Sequence, residues 1–360
     1  MSTPAKRRAQ LATLVGGSGV TRISPPILMP ADPYYDLAGE EFARRLVLTQ
    51  STDGFEYCLR PDFTLAIAKG HLAHGASGQA AYGYFGPVFR QRDTGPTEFD
   101  QAGLELIGQP DAEEALRTVF AFARAALDIY RIEAPAVRLG GVALFEAILR
   151  GADIPSVWRS RIRHRFGHSE AMQRLLERLA DPHGSGPRSL SIGREALVER
   201  ITDQMLSAGL SLTEGRRPQE IADRYLEKQA LAAARVPVET LVLLRSYLGI
   251  AGEAHQALSR VEALARDQQI DIAAPLERMR RHIGALEANG PMSRLVFDAG
   301  FSPRLDYYTG IVFEMTGPNG EVLASGGQYD RLLERLGAKG RIAAAGCAVW
   351  VQRLEAEAAA

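Results

Sequence analysis

The sequence predicts an α/β protein in which two outer segments share one mixed, mainly antiparallel sheet flanked by helices, with a helical domain inserted between them. Three observations carry this. Residues 20–140 hold short β-like runs separated by turns, residues from about 145 to 288 are rich in Ala, Leu, Arg and Glu with few strand signals, and strand patterns return after residue 290. A chain of 360 residues suffices for about two domains at roughly 150 residues each. The expected boundaries are therefore 1–144 and 289–360 for a discontinuous core, and 145–288 for the insertion.

Taken in order, Ile23–Met29 reads as a β-like run interrupted by Pro25 and Pro26, and Ala81–Arg90 as an aromatic, glycine-punctuated strand. Asp111 is placed as a helix N-cap, with Glu114 completing a capping box. Leu116, Val119, Phe120, Ala123 and Leu127 then recur at helical spacing, so this helix should lie against a sheet. Val137–Leu139 reads as the next strand. Within the insertion, His183–Ser189 and Gly215–Pro218 read as breaks between helices. Strands return at Arg294–Phe297, Ile311–Met315 and Glu321–Ala324, and no repeat of fixed period is present.

Composition removes several function classes. Lys plus Arg total 42 against 43 Asp plus Glu, a net charge of −1, which leaves no basic excess to neutralise a nucleic-acid backbone. Cys58 and Cys347 are too few for a disulfide framework and show no zinc spacing, which fits a reducing, cytoplasmic compartment. No apolar window is long enough to span a membrane, and Gly16, Gly17 and Gly19 end the run after Lys6–Arg8 too early for an export signal. The same glycines lack the Lys-Ser/Thr of a phosphate loop, so they read as a turn. His164 and His168 stand four apart, but Arg161, Arg163 and Arg165 surround them, which favours a solvated basic face over a metal site.

The informative residues are scattered: Leu59-Arg60-Pro61-Asp62-Phe63-Thr64, Phe89-Arg90-Gln91-Arg92, Phe99-Asp100-Gln101 with Glu105, and Leu305-Asp306-Tyr307-Tyr308-Thr309-Gly310. Together they resemble the catalytic core of histidyl-tRNA synthetase, a class II aminoacyl-tRNA synthetase. Arg60–Thr64 looks like that family's amino-acid-binding turn, Gly86–Arg90 through Gln101 and Glu105 like its second motif, and Leu305–Glu314 like its histidine signature. Gly326-Gly327-Gln328-Tyr329-Asp330, with Gly346 and Arg353-Leu354, resembles the glycine-rich strand and third motif. The resemblance covers residues 20–140 and 290–354 and implies a class II synthetase-like core. By motif position, Asp62, Thr64 and Gln101 would take the ammonium of free histidine. Arg90 would meet its carboxylate as a guanidinium fork, and Glu105 with Tyr307 and Tyr308 would hold the imidazole. On this reading Glu105→Gln weakens binding by roughly 1.5–3 kcal/mol, the worth of a charge-assisted hydrogen bond.

The departures lie where adenylation would occur. The synthetase's catalytic Arg before Gly-Leu-Asp-Tyr-Tyr is matched by Pro303, with Arg304 in the glycine's place, and a one-residue shift along a strand reverses the face of a side chain. The carboxylate of Phe-Arg-His-Glu becomes Arg92, and the Arg-rich loop after it shortens to Thr94-Gly95-Pro96-Thr97. Trp350 and Gln352 replace a small residue and a Glu, while Arg353 is kept. Only seven residues follow Arg353, too few for an anticodon-binding domain of at least about 50.

A chain that keeps the histidine pocket and loses adenylation and tRNA reading is similar to the regulatory subunits of ATP phosphoribosyltransferase. That resemblance implies no catalysis of its own, no cofactor or metal, and assembly with a short-form catalytic subunit that condenses ATP with phosphoribosyl pyrophosphate. This is the first step of histidine biosynthesis and is feedback-inhibited by L-histidine. It also implies a homodimer through the first motif, Pro25–Pro30, and no contact with nucleic acid or membrane. Two other readings stay open: an adenylating amino-acid ligase with a non-tRNA substrate, which retained Arg90 and Arg353 keep possible, and a scaffold with a vestigial pocket.

Overall fold

The computed structural model describes residues 3–37, 40–75, 78–92, 95–180, 193–211, 217–288, 295–303 and 307–359. The first segment runs α1 (Pro4–Leu14), β1 (Thr21–Arg22), β2 (Leu28–Pro30), α2 (Asp32–Leu37), α3 (Glu40–Ala43), β3 (Leu48–Gln50), β4 (Glu56–Leu59), α4 (Thr64–Ala73), β5 (Ala80–Phe89), β6 (Glu98–Ile107), α5 (Ala112–Ile129), β7 (Ala136–Gly141) and α6 (Val142–Gly151). Helices α7 (Ser156–Arg163), α8 (Ser169–Ala180), α9 (Arg194–Ser207), α10 (Pro218–Ala233) and α11 (Val238–Leu248) follow. The chain ends through β8 (Ala251–Glu253), α12 (Ala254–Asp267), α13 (Ala273–Glu287), β9 (Leu295–Asp298), β10 (Ile311–Thr316), β11 (Val322–Gln328), α14 (Leu332–Arg335), β12 (Ala344–Trp350) and α15 (Val351–Glu357).

Among the described residues, nine strands join in the order β1-β5-β6-β12-β11-β10-β7-β9-β8, and β2-β4-β3 form a separate small sheet. Only β1 with β5 and β7 with β9 are parallel, so the expected mixed, mainly antiparallel sheet is present. Strands from both parts of the chain are interleaved within it, with β12, β11 and β10 lying between β6 and β7. This follows from their composition, since β10, β11 and β12 are too buried on both faces to stand as a separate sheet.

Helix α5 covers one face of that sheet. Its N-cap is Asp111, whose side chain accepts hydrogen bonds from the Glu113 and Glu114 backbone amides. The reciprocal half of the expected capping box is not made, because Glu114 pairs instead with Arg117 one turn on. Leu116, Val119, Phe120, Ala123 and Leu127 are all buried, and Phe120 meets Phe313 of β10 edge to face at 5.2 Å. Each large apolar side chain buried in this way stabilises by about 1.5–3 kcal/mol.

The chain forms two compact units, 1–148 with 246–360, and 149–245. The helical unit is therefore shorter than the sequence suggested, ending near residue 245 rather than 288. Residues 246–288 fold with the sheet: β8 pairs with β9, and Arg281 of α13 binds Glu113 of α5 at 2.6 Å. Leu276, Met279, Ile283 and Leu286 line the buried face of α13. Helical composition alone does not say which layer such a stripe packs against. Within the helical unit, Trp158 donates to the Ala234 carbonyl at 2.8 Å and Arg194 pairs with Asp223 at 2.6 Å. The expected break at His183–Ser189 lies outside the described residues, as do Gly215 and Arg216 of the second, while Pro218 opens α10.

Candidate functional site

Four elements converge on the sheet face opposite α5. Glu105 projects from β6, and the residues directly across the ladder from it are Tyr82 of β5 and Gly346 of β12, with Gly327 of β11 beyond. Cross-strand partners share a face, so two glycines in a row open space beside the carboxyl. The requirement at Gly346 is strict, because a Cβ there would stand 1.6 Å from Glu105 Oε2. Gly103 plays the same part for Tyr84, whose hydroxyl fills the position its Cβ would occupy.

Glu105 is 1% exposed. Thr64, at the start of α4, donates to its Oε1 at 2.6 Å, and the Tyr329 hydroxyl donates to its Oε2. The nearby Tyr84 hydroxyl, which donates to the Cys347 carbonyl at 3.1 Å, also favours the ionised form of the carboxyl. The Tyr307 ring lies 5.1 Å from Tyr308, tilted against it, and 5.8 Å from Tyr329, edge to face. Burial is the dominant influence on Glu105 and pushes its carboxyl up to about 8, so it is largely protonated at neutral pH. Pattern and spacing, from which Glu105 is expected to accept a hydrogen bond from an imidazole, do not report this desolvation.

Asp62 and Arg90 form the second part of the site. Burial raises Asp62 to about 6, opposed by the Arg90 guanidinium and by the Leu65 amide, which donates to Oδ1 at 3.3 Å. Arg90 is lowered to about 10, again by burial, with Asp62 as its principal favourable partner. Asp62 Oδ2 and Arg90 Nε are buried and have no hydrogen-bond partner among the described residues. Leaving a charged group so disposed costs free energy unless a complementary ligand completes it. A carboxylate and a guanidinium are the groups that a zwitterionic amino acid needs.

All seven sequence-predicted residues lie in this unit. Thr64, Glu105, Tyr307 and Tyr308 are brought together directly, and Asp62 with Arg90. Gln101 sits on the same face of β6 as Glu105, buried, four residues away, and directly across from Trp350. The Thr64 hydroxyl, expected beside Asp62 and Gln101 at an ammonium, donates to Glu105. Tyr329, Tyr84, Gly346 and Arg60 were not singled out for the site. Three of them stand inside motifs the sequence displays, and Tyr84 alternates with Tyr82 along β5. Arg60 holds the turn that carries Asp62, bonding the Pro25 carbonyl and, at 2.8 Å, the Pro87 carbonyl. Its guanidinium lies 4.0 Å over Phe63, which stacks in turn on Tyr84 at 4.2 Å.

The family model for histidyl-tRNA synthetase matches residues 3–171 and 167–354. The ATP phosphoribosyltransferase regulatory subunit of Mesorhizobium japonicum is 38% identical over 97% of this chain and 96% of its own length. That of Allorhizobium ampelinum is 39% identical over 94% and 93%. The chain belongs to the family of ATP phosphoribosyltransferase regulatory subunits. A Bacillus halodurans structure described as an ATP phosphoribosyltransferase regulatory subunit/histidyl-tRNA synthetase shares the fold. It has a TM-score of 0.67 and 21% identity, and the likeness covers 98% of this chain and 79% of that one. The histidyl-tRNA synthetase of Nostoc sp. superposes with a TM-score of 0.63 at 14% identity, covering 98% of this chain and 70% of that one.

Family membership gives the departures from the synthetase pattern a structural form. The Arg92 guanidinium carbon lies 3.5 Å over the Phe99 ring. Gln352 is tied to Asp100 by two hydrogen bonds, accepting at 2.9 Å and donating at 3.2 Å. Arg353 donates to the Val322 carbonyl at 2.8 Å, pairs with Glu321 at 3.3 Å and lies 5.3 Å over the Trp350 ring. These groups are engaged with the protein itself. Arg304, Leu305, Asp306 and Thr94 lie outside the described residues. No three His, Cys, Asp or Glu side chains come together as metal ligands among the described residues.

Proposed function

We propose that this chain is the non-catalytic regulatory subunit of ATP phosphoribosyltransferase, acting at the first step of histidine biosynthesis, and that L-histidine bound in the pocket of Asp62, Thr64, Arg90, Gln101, Glu105, Tyr307 and Tyr308 is its regulatory ligand. The observation that carries the ligand assignment is the pair of buried, incompletely bonded groups, Asp62 Oδ2 and Arg90 Nε, beside a buried carboxyl ringed by hydroxyls. The first pair suits an ammonium and a carboxylate. The second group suits an imidazole. Against the ligase alternative stand the internal engagements of Arg92, Gln352 and Arg353, because adenylate formation needs free cations and donors at the α-phosphate.

The partner is a short-form catalytic subunit. Histidine that binds one state of the complex more tightly shifts the complex toward that state, with a coupling typically of about 1–3 kcal/mol. A homodimer through the first motif is supported by Ile27 and Leu28, 45% and 50% exposed beside the edge strand β2, and by Leu48 of β3 at 47%. Apolar side chains on an unpaired edge are suited to self-complementary pairing. No helix among the described residues is long and apolar enough to cross a membrane, and a cytoplasmic location accords with the proposed pathway. Calorimetric titration of the purified chain with L-histidine tests the pocket, and co-elution with a short-form catalytic subunit tests the assembly. Absence of both would overturn the proposal.

A further inference from the structure

We propose that Arg60 is the positioning residue that sets the gap between Asp62 and Arg90, and that this fixed gap makes the pocket selective for an α-amino acid, whose ammonium and carboxylate stand on one carbon. This deepens the histidine-pocket reading and rests on it. Arg60 directly follows β4 and continues its pairing with the first motif, since its backbone amide donates to the Ile27 carbonyl at 2.6 Å. Its buried side chain forks between two other segments: Nη1 donates to the Pro25 carbonyl and Nη2 to the Pro87 carbonyl at 2.8 Å. Its own carbonyl accepts from the Phe89 amide at 3.0 Å. One residue therefore joins the first motif, the turn before α4 and the end of β5.

The two charges of the site hang from that junction on short lengths of chain. Asp62 lies two residues after Arg60, and Arg90 one residue after Phe89. The far end of the turn is fixed to the same strand, because Phe63 carries the Arg60 guanidinium 4.0 Å above its ring and stacks on Tyr84 of β5 at 4.2 Å. Asp62 is held between these two anchors, and the Leu65 amide donates to its Oδ1 at 3.3 Å. A planar guanidinium reaches two carbonyls on separate segments in fixed directions, which a compact ammonium on a flexible stem does not.

A site whose two charges stand at a set separation binds both charges of a matching ligand with little further ordering, and a slack gap forfeits part of that gain. Histamine has the imidazole and the ammonium of histidine without the carboxylate. It engages one member of the Asp62–Arg90 pair and is insensitive to the distance between them. The ratio of the two affinities therefore reports the gap itself, which general loosening of the fold would not change.

The test is titration of the intact chain with L-histidine and with histamine, for wild type and Arg60→Lys. Lysine keeps a positive charge near Asp62 and removes the fork. L-Histidine affinity should fall about tenfold or more, the worth of one charge-assisted hydrogen bond, while histamine affinity stays within about twofold. Equal losses for both ligands, or none for either, would overturn the positioning role and leave the pocket assignment standing. Failure of wild type to bind L-histidine would overturn the assignment itself. Amide hydrogen exchange of wild type needs no variant and serves even where Arg60→Lys does not fold. L-Histidine at about 100 times its Kd should slow exchange of the Arg60 and Phe89 amides about tenfold or more, because opening either bond separates Asp62 from Arg90 and releases the ligand. Unchanged exchange at either amide would overturn the clamp.

Discussion

Gly346→Ala is the substitution whose consequence the structure specifies most closely. The new Cβ would lie 1.6 Å from Glu105 Oε2, 2.5 Å from its Cδ and 3.0 Å from the Leu104 carbonyl oxygen. Contact distances require the carboxyl to retreat by about 2 Å. It has little freedom to do so, because Thr64 and Tyr329 grip its two oxygens, and Leu104 is held in the β6–β12 ladder. Overpacking of a buried site costs about 1–3 kcal/mol, and one or two broken hydrogen bonds add about 1 kcal/mol each. Unfolding free energy should therefore drop by about 2–5 kcal/mol, and histidine affinity at least tenfold, since the imidazole contact is displaced with the carboxyl. Urea unfolding measures the first and calorimetry the second. Gly340→Ala, whose Cβ meets nothing within 4 Å, serves as the control. A Gly346→Ala protein with wild-type histidine affinity would refute the placement of Glu105 in the pocket.

Other expectations follow from the same geometry. Glu105 is raised from an ordinary 4.5 to about 8, so the stability it allows is fully present below pH 4.5 and is lost as pH rises through 8. Glu105→Gln should accordingly gain on wild type by about 3 kcal/mol between pH 4.5 and pH 7, and parallel stability curves in denaturant titrations would contradict this. Arg60→Met leaves the Pro25 and Pro87 carbonyls without their donor and should destabilise by about 2–4 kcal/mol; a change within experimental error would show that the turn holds without it. The isolated chain should not catalyse histidine-dependent exchange of labelled pyrophosphate into ATP. Exchange at a synthetase-like rate would restore the ligase reading.

How far the sequence could be read depended on the kind of interaction. Local chemistry was legible: Asp111 caps α5, Ala81–Arg90 lies almost wholly within β5, and the strands at Val137, Ile311 and Glu321 are present with small shifts at their ends. The return of strands after a helical stretch was enough to place both chain ends in one sheet. Helices α12 and α13 were assigned to the wrong side of the boundary, because an amphipathic stripe records that a face is buried but not against what. In the site, residue types and motif order were sufficient to collect Asp62, Arg90, Glu105 and the tyrosine pair. They were silent on Tyr84, whose part depends on a neighbouring strand having glycine at 103. They were silent also on the protonation of Glu105, which is set by how completely surrounding strands exclude water.

The central claim is that histidine acts on the catalytic partner through this pocket. Its most direct test is the histidine dose response of a reconstituted short-form ATP phosphoribosyltransferase carrying either wild type or Arg90→Met. The lost guanidinium contact to the ligand carboxylate is worth roughly 1.5–3 kcal/mol, or about 10-fold to 150-fold in affinity. Inhibition of the variant complex should shift to higher histidine concentration by that factor, with uninhibited activity and assembly retained. An unchanged dose response in an intact complex would contradict the account and place the regulatory site elsewhere.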